Sequence, residues 1–291
     1  MDTPQFQAGL DCLAQPILPL VRLVQLLFLT GPFATVSEVV AELNEPIETV
    51  VRYEEPAKAL APYLDLMGEY QRLKEPAPPA GYTIVDEDLN PLSPMEAIDL
   101  WVSQQVVNRE LETINSLLCG PCLCANCCTG PSAGLRQEFF EIPLAEAETS
   151  LFALPKIDTP DSRKLTAYSD PPLMVAGRAF FDQGLTLCYW YSGWSMILPR
   201  GTACPHLQAR QACAIYPQRP EVCRRPPIFA YVIDRAAECD ATKPRAITPV
   251  YGRQEKILAV WDCPYVRRFQ KEIAAYAEYS ELEPIFKENK G

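Results

Sequence analysis

Apolar positions recur at helical spacing through the first seventy-five residues. Leu20 to Leu29 is apolar almost all round, which predicts a buried helix ended by Gly31-Pro32. Thr35 or Ser37 can cap a second helix carrying Val39, Val40 and Leu43, and Pro46 opens a third with Ile47, Val50 and Val51 on its apolar face. A long amphipathic helix is predicted from about Pro94 to Leu118. Pro94 suits its first turn, Glu96 and Asp99 favour its N-terminal end, and Ile98, Val102, Leu111, Ile114 and Leu118 share one stripe.

Elsewhere the period changes. Residues 81–85, Phe139 to Ile142, the aromatic run from Leu185 to Trp194, and 228–233 read as short strands between Pro- and Asp-rich loops. Helical spacing returns at Ile257, Val260 and Trp261, breaks at Pro264, and resumes through Val266, Phe269, Ile273 and Tyr276. The expected fold is α+β and mostly helical. Residues 1–75 form an acidic helical domain with a winged-helix-like order of elements, and 76–93 a Pro-rich linker. Residues 94–291 form a loop-rich cysteine domain with a few short strands and C-terminal helices.

Charge divides along the same line. Residues 1–115 carry 18 acidic and 6 basic side chains, whereas the remainder is nearly balanced within a total of −11. The presumed recognition region sets Glu45, Glu48, Glu54 and Glu55 against Arg52, so nucleic acid is excluded as a partner and a protein partner for the acidic domain is expected. The apolar stretch Ile17–Leu29 is interrupted by Pro19, Arg22 and Gln25 and is short for a bilayer, so neither a membrane span nor a secretory signal is expected. A reducing, cytoplasmic location follows, in which thiols serve metals or redox chemistry rather than disulfides.

The chain has 12 cysteines and a single histidine, His206. A His-ligated metal enzyme is thereby excluded. Five of the thiols fall within Cys119-Gly120-Pro121-Cys122-Leu123-Cys124-Ala125-Asn126-Cys127-Cys128. A Cys-x-x-Cys turn brings two sulfurs to one side of the chain and suits one ion. Adjacent cysteines pair poorly with each other, which argues against a disulfide framework. Further on stand Cys204-Pro205-His206-Leu207, Cys213-Ala214-Ile215-Tyr216 and Arg219-Pro220-Glu221-Val222-Cys223-Arg224-Arg225. Pro220 and Glu221 read as the start of a helix, whose N-terminus together with Arg219, Arg224 and Arg225 would favour a thiolate at Cys223. The expected metal ligands are Cys119, Cys122, Cys124, Cys127, Cys128, Cys204, Cys213 and Cys223. Cys239 and Cys263, the latter in a second Cys-Pro junction, are candidates to complete a second site. Cys188 reads as core, the Tyr189–Trp194 aromatics as sheet packing, and His206 as a hydrogen-bond donor to a sulfur or carbonyl.

Cys124-x-x-Cys127-Cys128, followed by Cys-Pro-x-Leu, Cys-x-Ile-Tyr and Arg-Pro-x-x-Cys-Arg, resembles the cysteine-cluster family of zinc- or iron-chelating domains, over about residues 119–230. That family includes flagellin lysine N-methylase. Its usual run is Cys-x-x-Cys-x-x-Cys-Cys; here Pro121 holds the first position, with Cys119 and Cys122 on either side. The resemblance implies a bound metal.

All-thiolate ligation suits both zinc and iron–sulfur clusters. One crowded loop plus spaced single cysteines, rather than two matched knuckles, favours an iron–sulfur cluster of the [4Fe-4S] type, with zinc as the alternative. No Cys-x-x-x-Cys-x-x-Cys, Gly-x-Gly-x-x-Gly or Walker loop is found. The expected role is electron transfer or cluster assembly. Cluster-dependent protein modification, as in the methylase, and a zinc-stabilised interaction module are the alternatives.

Overall fold

The computed structural model describes residues 4–74, 81–235 and 248–288. Cys239 and the Pro-rich residues 75–80 therefore lie outside the described residues. The fold is a mixture of helices and small sheets, and the chain divides into two units. The first comprises residues 1–118, 227–261 and 265–287, and the second 119–226, 262–264 and 288–291. Composition alone places boundaries at 75 and 94, but residues 1–75 group with the long helix and with much of the C-terminal region.

The first unit begins with helices α1 (Pro4–Ala14), α2 (Leu18–Thr30) and α3 (Val36–Glu42). By length and composition Pro4–Thr30 would suffice to cross a membrane, a longer apolar run than Ile17–Leu29 alone. It is broken between α1 and α2, and Leu18, Leu20, Val21, Val24 and Phe28 of α2 are fully buried. Thr35 caps α3 in a capping box with Glu38. The third helix expected after Pro46 is instead a hairpin of β1 (Ile47–Glu48) and β2 (Arg52–Tyr53). Pro46 disfavours helix in the residue before it, and the β-branched Ile47, Val50 and Val51 fit extended chain. The winged-helix-like order fails at this element. Helices α4 (Pro56–Leu60) and α5 (Leu64–Met67) follow.

Next come β3 (Thr83–Val85), which puts part of the expected linker into a sheet, and the long helix α6 (Pro94–Cys122). The sheet of this unit runs β10 (Ile228–Arg235), β11 (Val250–Val260), β12 (Glu283–Lys287). Strand β3 also pairs with β11, in parallel. The helix expected through Ile257, Val260 and Trp261 is thus the central strand β11. A short apolar run has no period strong enough to separate a buried strand from a buried helix. Helices α7 (Pro264–Arg268) and α8 (Gln270–Tyr279) do form where the spacing places them.

Two polar side chains of α6 tie it to β10. The ladder between β10 and β11 slips between Tyr231 and Ile233, opposite Glu255 in a left-handed conformation (φ 52°). The Gln104 carboxamide fills that gap. It accepts from the amides of Val232 and Ile233 at 2.8 and 3.0 Å and donates to the Ala230 carbonyl at 3.1 Å. Asn115, fully buried, donates to the Ile228 carbonyl at 2.9 Å and accepts from the Tyr265 hydroxyl at 2.6 Å.

In the second unit β4 (Phe139–Leu144), β9 (Gly193–Pro199), β8 (Thr186–Trp190) and β5 (Lys156–Ile157) form a four-stranded sheet in that order. Strands β6 (Met174–Val175) and β7 (Arg178–Ala179) make a separate hairpin. Side-chain alternation gives the sheet two apolar faces. Cys188, Trp190 and Ile197 join Phe139 and Phe180 on one face; Leu187 and Met196 join Leu144 and Phe152 on the other. Cys204 and Val222 pack against the second face, which brings two loops of the cysteine region onto one sheet.

Candidate metal centre

The last turn of α6 delivers Cys119 and Cys122 into the second unit, one helical turn apart, so their side chains leave the helix on the same side. The chain then passes through two left-handed non-glycine residues, Leu123 (φ 52°) and Ala125 (φ 56°), on either side of Cys124. Each costs roughly 1–2 kcal/mol relative to ordinary backbone, a cost retained where the surroundings fix the geometry. The consequence is local. The sulfurs of Cys122, Cys124 and Cys263 lie within 4.8 Å of one another. Asn126 reinforces this approach by donating from its side chain to the Asp262 carbonyl at 3.3 Å.

Beyond Ala125 a single 3-10 turn, Asn126–Cys128, carries the adjacent thiols, whose sulfurs are 3.8 Å apart. This turn docks on the loop after β9. The Cys204 amide donates to the Cys128 carbonyl at 2.7 Å, Thr129 bridges to Ala203, and the Gly130 amide donates to Thr202 at 2.9 Å. Gly130 is required here, because a Cβ would come within 2.0 Å of the Pro199 carbonyl oxygen. A second bridge, Leu207 with Cys213, folds the next loop back. Through the same loop the Ala214 amide donates to the His206 carbonyl at 2.8 Å.

Cys223 ends a three-residue 3-10 turn, Glu221–Cys223, where the sequence suggests the start of a longer helix. The turn is held by Glu148, whose carboxylate accepts from the Glu221 amide at 2.8 Å. Too short to build a helix dipole, it does not stabilise a thiolate. Burial pushes Cys223 up to about 12, with Cys127 and Cys204 adding to the rise and Arg219 opposing it. Of the three arginines, Arg219 is buried and lies over the Tyr216 ring at 4.0 Å, while Arg225 pairs with Glu221.

The remaining thiols show the same environment. Burial lifts Cys119 to about 12, with Cys127, Cys124 and Cys122 contributing and Arg219 opposing. Cys204 is raised by burial and by Cys213 and Cys127. Cys127 is raised first by its hydrogen bond with Cys128. Cys124 moves the other way, because the Cys122 and Cys263 thiols both donate to its sulfur. Thiols crowded out of water and raised by one another are poor free thiolates. A soft cation is the group that makes their charged forms compatible, and the three converging sulfurs of Cys122, Cys124 and Cys263 give it a place. The donor set fits a thiolate-held metal.

All eight thiols expected as ligands fall within one unit, and two of them, Cys122 and Cys124, converge with Cys263. The sulfurs of Cys122 and Cys124 meet that of Cys263, whereas the Cys127–Cys128 turn is tied through Cys128 to Cys204, Cys213 is bridged to Leu207 in the following loop, and the charges of Cys127, Cys204 and Cys213 act on Cys223. Among the described residues, no other three Cys, His or carboxylate ligand atoms approach within 4.8 Å of one another. Cys188 is fully buried in the sheet and Cys12 lies in the first unit. His206 donates from Nε2 to the Leu151 carbonyl at 2.8 Å and packs on Phe152, so its role is to hold a loop. Two contributors escape sequence reasoning: the strained pair Leu123 and Ala125, which no motif marks, and Gly130, whose only signal is the Thr-Gly-Pro sequence of a tight turn.

No curated protein and no solved structure matches the chain. A family model described as "Putative zinc- or iron-chelating domain" matches residues 118–242. The match takes in every expected ligand and stops short of Cys263. The cysteine-bearing segment, residues 118–242, is accordingly similar to this zinc- or iron-chelating cysteine-cluster family.

Proposed function

We propose that the second unit holds an iron–sulfur cluster and that the protein acts in electron transfer or cluster assembly. The observation that carries this reading is the set from Cys127 to Cys223. The Cys128 carbonyl accepts from the Cys204 amide, the loop of Cys204 continues to Cys213, and the charges of Cys127, Cys204 and Cys213 act on Cys223. Sulfurs that share one ion at about 2.3 Å stand roughly 4 Å apart. Those that ligate a polynuclear cluster each bond a different iron, and so must stand further apart. Among the described residues, no three thiols of this set have sulfurs within 4.8 Å of one another, which suits a cluster of the [4Fe-4S] type better than a lone zinc ion.

When bound, such a cluster supplies one-electron chemistry. The chain's own part is to exclude water and set charge. The apolar face of β8 and β9 backs Cys204, and buried Arg219 offsets the negative charge of the thiolates at Cys119 and Cys223. The acidic first 115 residues suit a protein partner with a basic surface, and that association weakens as salt is raised.

Anaerobic purification tests the reading. The expected product is a brown protein with iron and acid-labile sulfide in equal amounts, bleached reversibly by dithionite. A colourless protein whose only bound metal is zinc would overturn the cluster.

A further inference from the structure

We infer that Cys122, Cys124 and Cys263 form a second and separate metal site, for a single thiophilic ion of the zinc type, using a ligand from outside the family domain. The site lies beside the proposed cluster but does not depend on it.

Three observations support this. The first is distance: these three sulfurs lie within 4.8 Å of one another, close to the separation of thiolates on one tetrahedral ion and too close for a polynuclear core. The second is construction. Leu123 and Ala125 adopt costly left-handed conformations on either side of Cys124, and Asn126 binds the carbonyl of Asp262, next to Cys263. Backbone strain and a specific side-chain tie thus serve one juxtaposition. The third is sequence position. The family match ends at residue 242, so Cys263 is no part of the family's motif. Yet Cys263 is a buried thiol in a Cys-Pro junction at the start of α7, and its segment, 262–264, belongs to the cysteine unit rather than to the unit on either side of it in sequence. The fourth position of a closed site falls to Cys119, one turn before Cys122 on the same side of α6.

The arrangement also accounts for Pro121, which stands where the family's run has its first cysteine. With Cys122 and Cys263 directed to their own ion, the Cys127–Cys223 set is left intact for the other centre.

Cobalt(II) is the probe, because tetrahedral thiolate ligation gives it intense visible bands independent of any activity. Protein stripped of metal is titrated with cobalt under argon, while iron and sulfide are measured on untreated protein. We expect one tight cobalt equivalent with thiolate bands in the parent chain and in Cys213→Ser. In Cys263→Ser the affinity falls more than about tenfold, while iron and sulfide stay at the parent level. Cys122→Ser, at a half-buried helix end that tolerates change, repeats the measurement should Cys263→Ser fail to fold. Unchanged cobalt bands in both variants would overturn the inference, as would loss of iron and sulfide together with the cobalt site, which would mean one shared centre. A Cys263-dependent cobalt site in a chain that never holds iron would uphold it and remove the cluster proposal instead.

Discussion

At the scale of single residues, the metal loop is built against backbone preference. Ala125 sits in a left-handed conformation that glycine adopts freely. Ala125→Gly is expected to raise the stability of the metal-free chain by up to about 1 kcal/mol, the steric relief being partly offset by the added freedom of the unfolded chain. Urea denaturation with and without metal measures it, and a loss of stability would show that the loop is unstrained. A second residue-scale effect lies in the first unit. Glu110 is fully buried and its pKa is pushed up to about 8 by burial, although it accepts from the Tyr276 hydroxyl at 2.6 Å and the Ile17 amide at 3.0 Å. Folding therefore takes up a proton. This contribution to stability is complete below about 4.5 and is lost as pH rises through about 8, each pH unit of that window being worth up to about 1.4 kcal/mol. Glu110→Gln should flatten the decline in melting temperature between pH 5 and pH 8, read by circular dichroism at about one-unit steps. An equal decline in both proteins would assign it to other groups. None of this is visible in the sequence, where Glu110 is one polar position of an amphipathic helix, whereas the chemistry of the clustered cysteines is plain from residue type and spacing.

At the scale of elements, the site depends on how loops dock on strands. Gly130→Ala places a methyl against the Pro199 carbonyl and must displace the Cys127–Cys128 turn from the loop of Cys204. A destabilisation of about 2–4 kcal/mol is expected, together with reduced iron, measured by thermal unfolding and metal analysis of the same preparation. Full iron content would show that this junction does not position ligands. In the first unit Gln104→Leu leaves the amides of Val232 and Ile233 without their acceptor at the bulge. It should cost about 2–3 kcal/mol and raise amide exchange at those two residues, and protection equal to the parent's would deny the bond its role. The long helix α6 and strands β4, β8 and β10 were legible because their apolar periodicity is strong or their aromatic content high, whereas β9 runs on to Pro199, past the aromatic stretch that ends at Trp194. Strand β11 was not, since an interior strand alternates little and Ile257, Val260 and Trp261 also fit a helix. The hairpin after Pro46 is set by two-residue strands, too short to leave a period.

For the whole molecule, the central feature is the gathering of distant thiols. Cysteines from 119 to 223, and Cys263 beyond them, fall into one unit, while the acidic N-terminal residues build the other. Sequence supplied the candidate ligand types and the family resemblance. It did not supply the return of residues 262–264 to the cysteine unit, because that depends on the path of β10 and β11 rather than on any local signal. It likewise left open how Cys119 and Cys122 stand to Pro121, a matter decided by backbone conformation. The most direct measurement is X-ray absorption at the iron and zinc edges of the full chain purified without oxygen. The account predicts iron with sulfur neighbours alone and a second shell of iron. A chain with neither metal bound, or metal surrounded by nitrogen and oxygen while the thiols remain free to react, would contradict it.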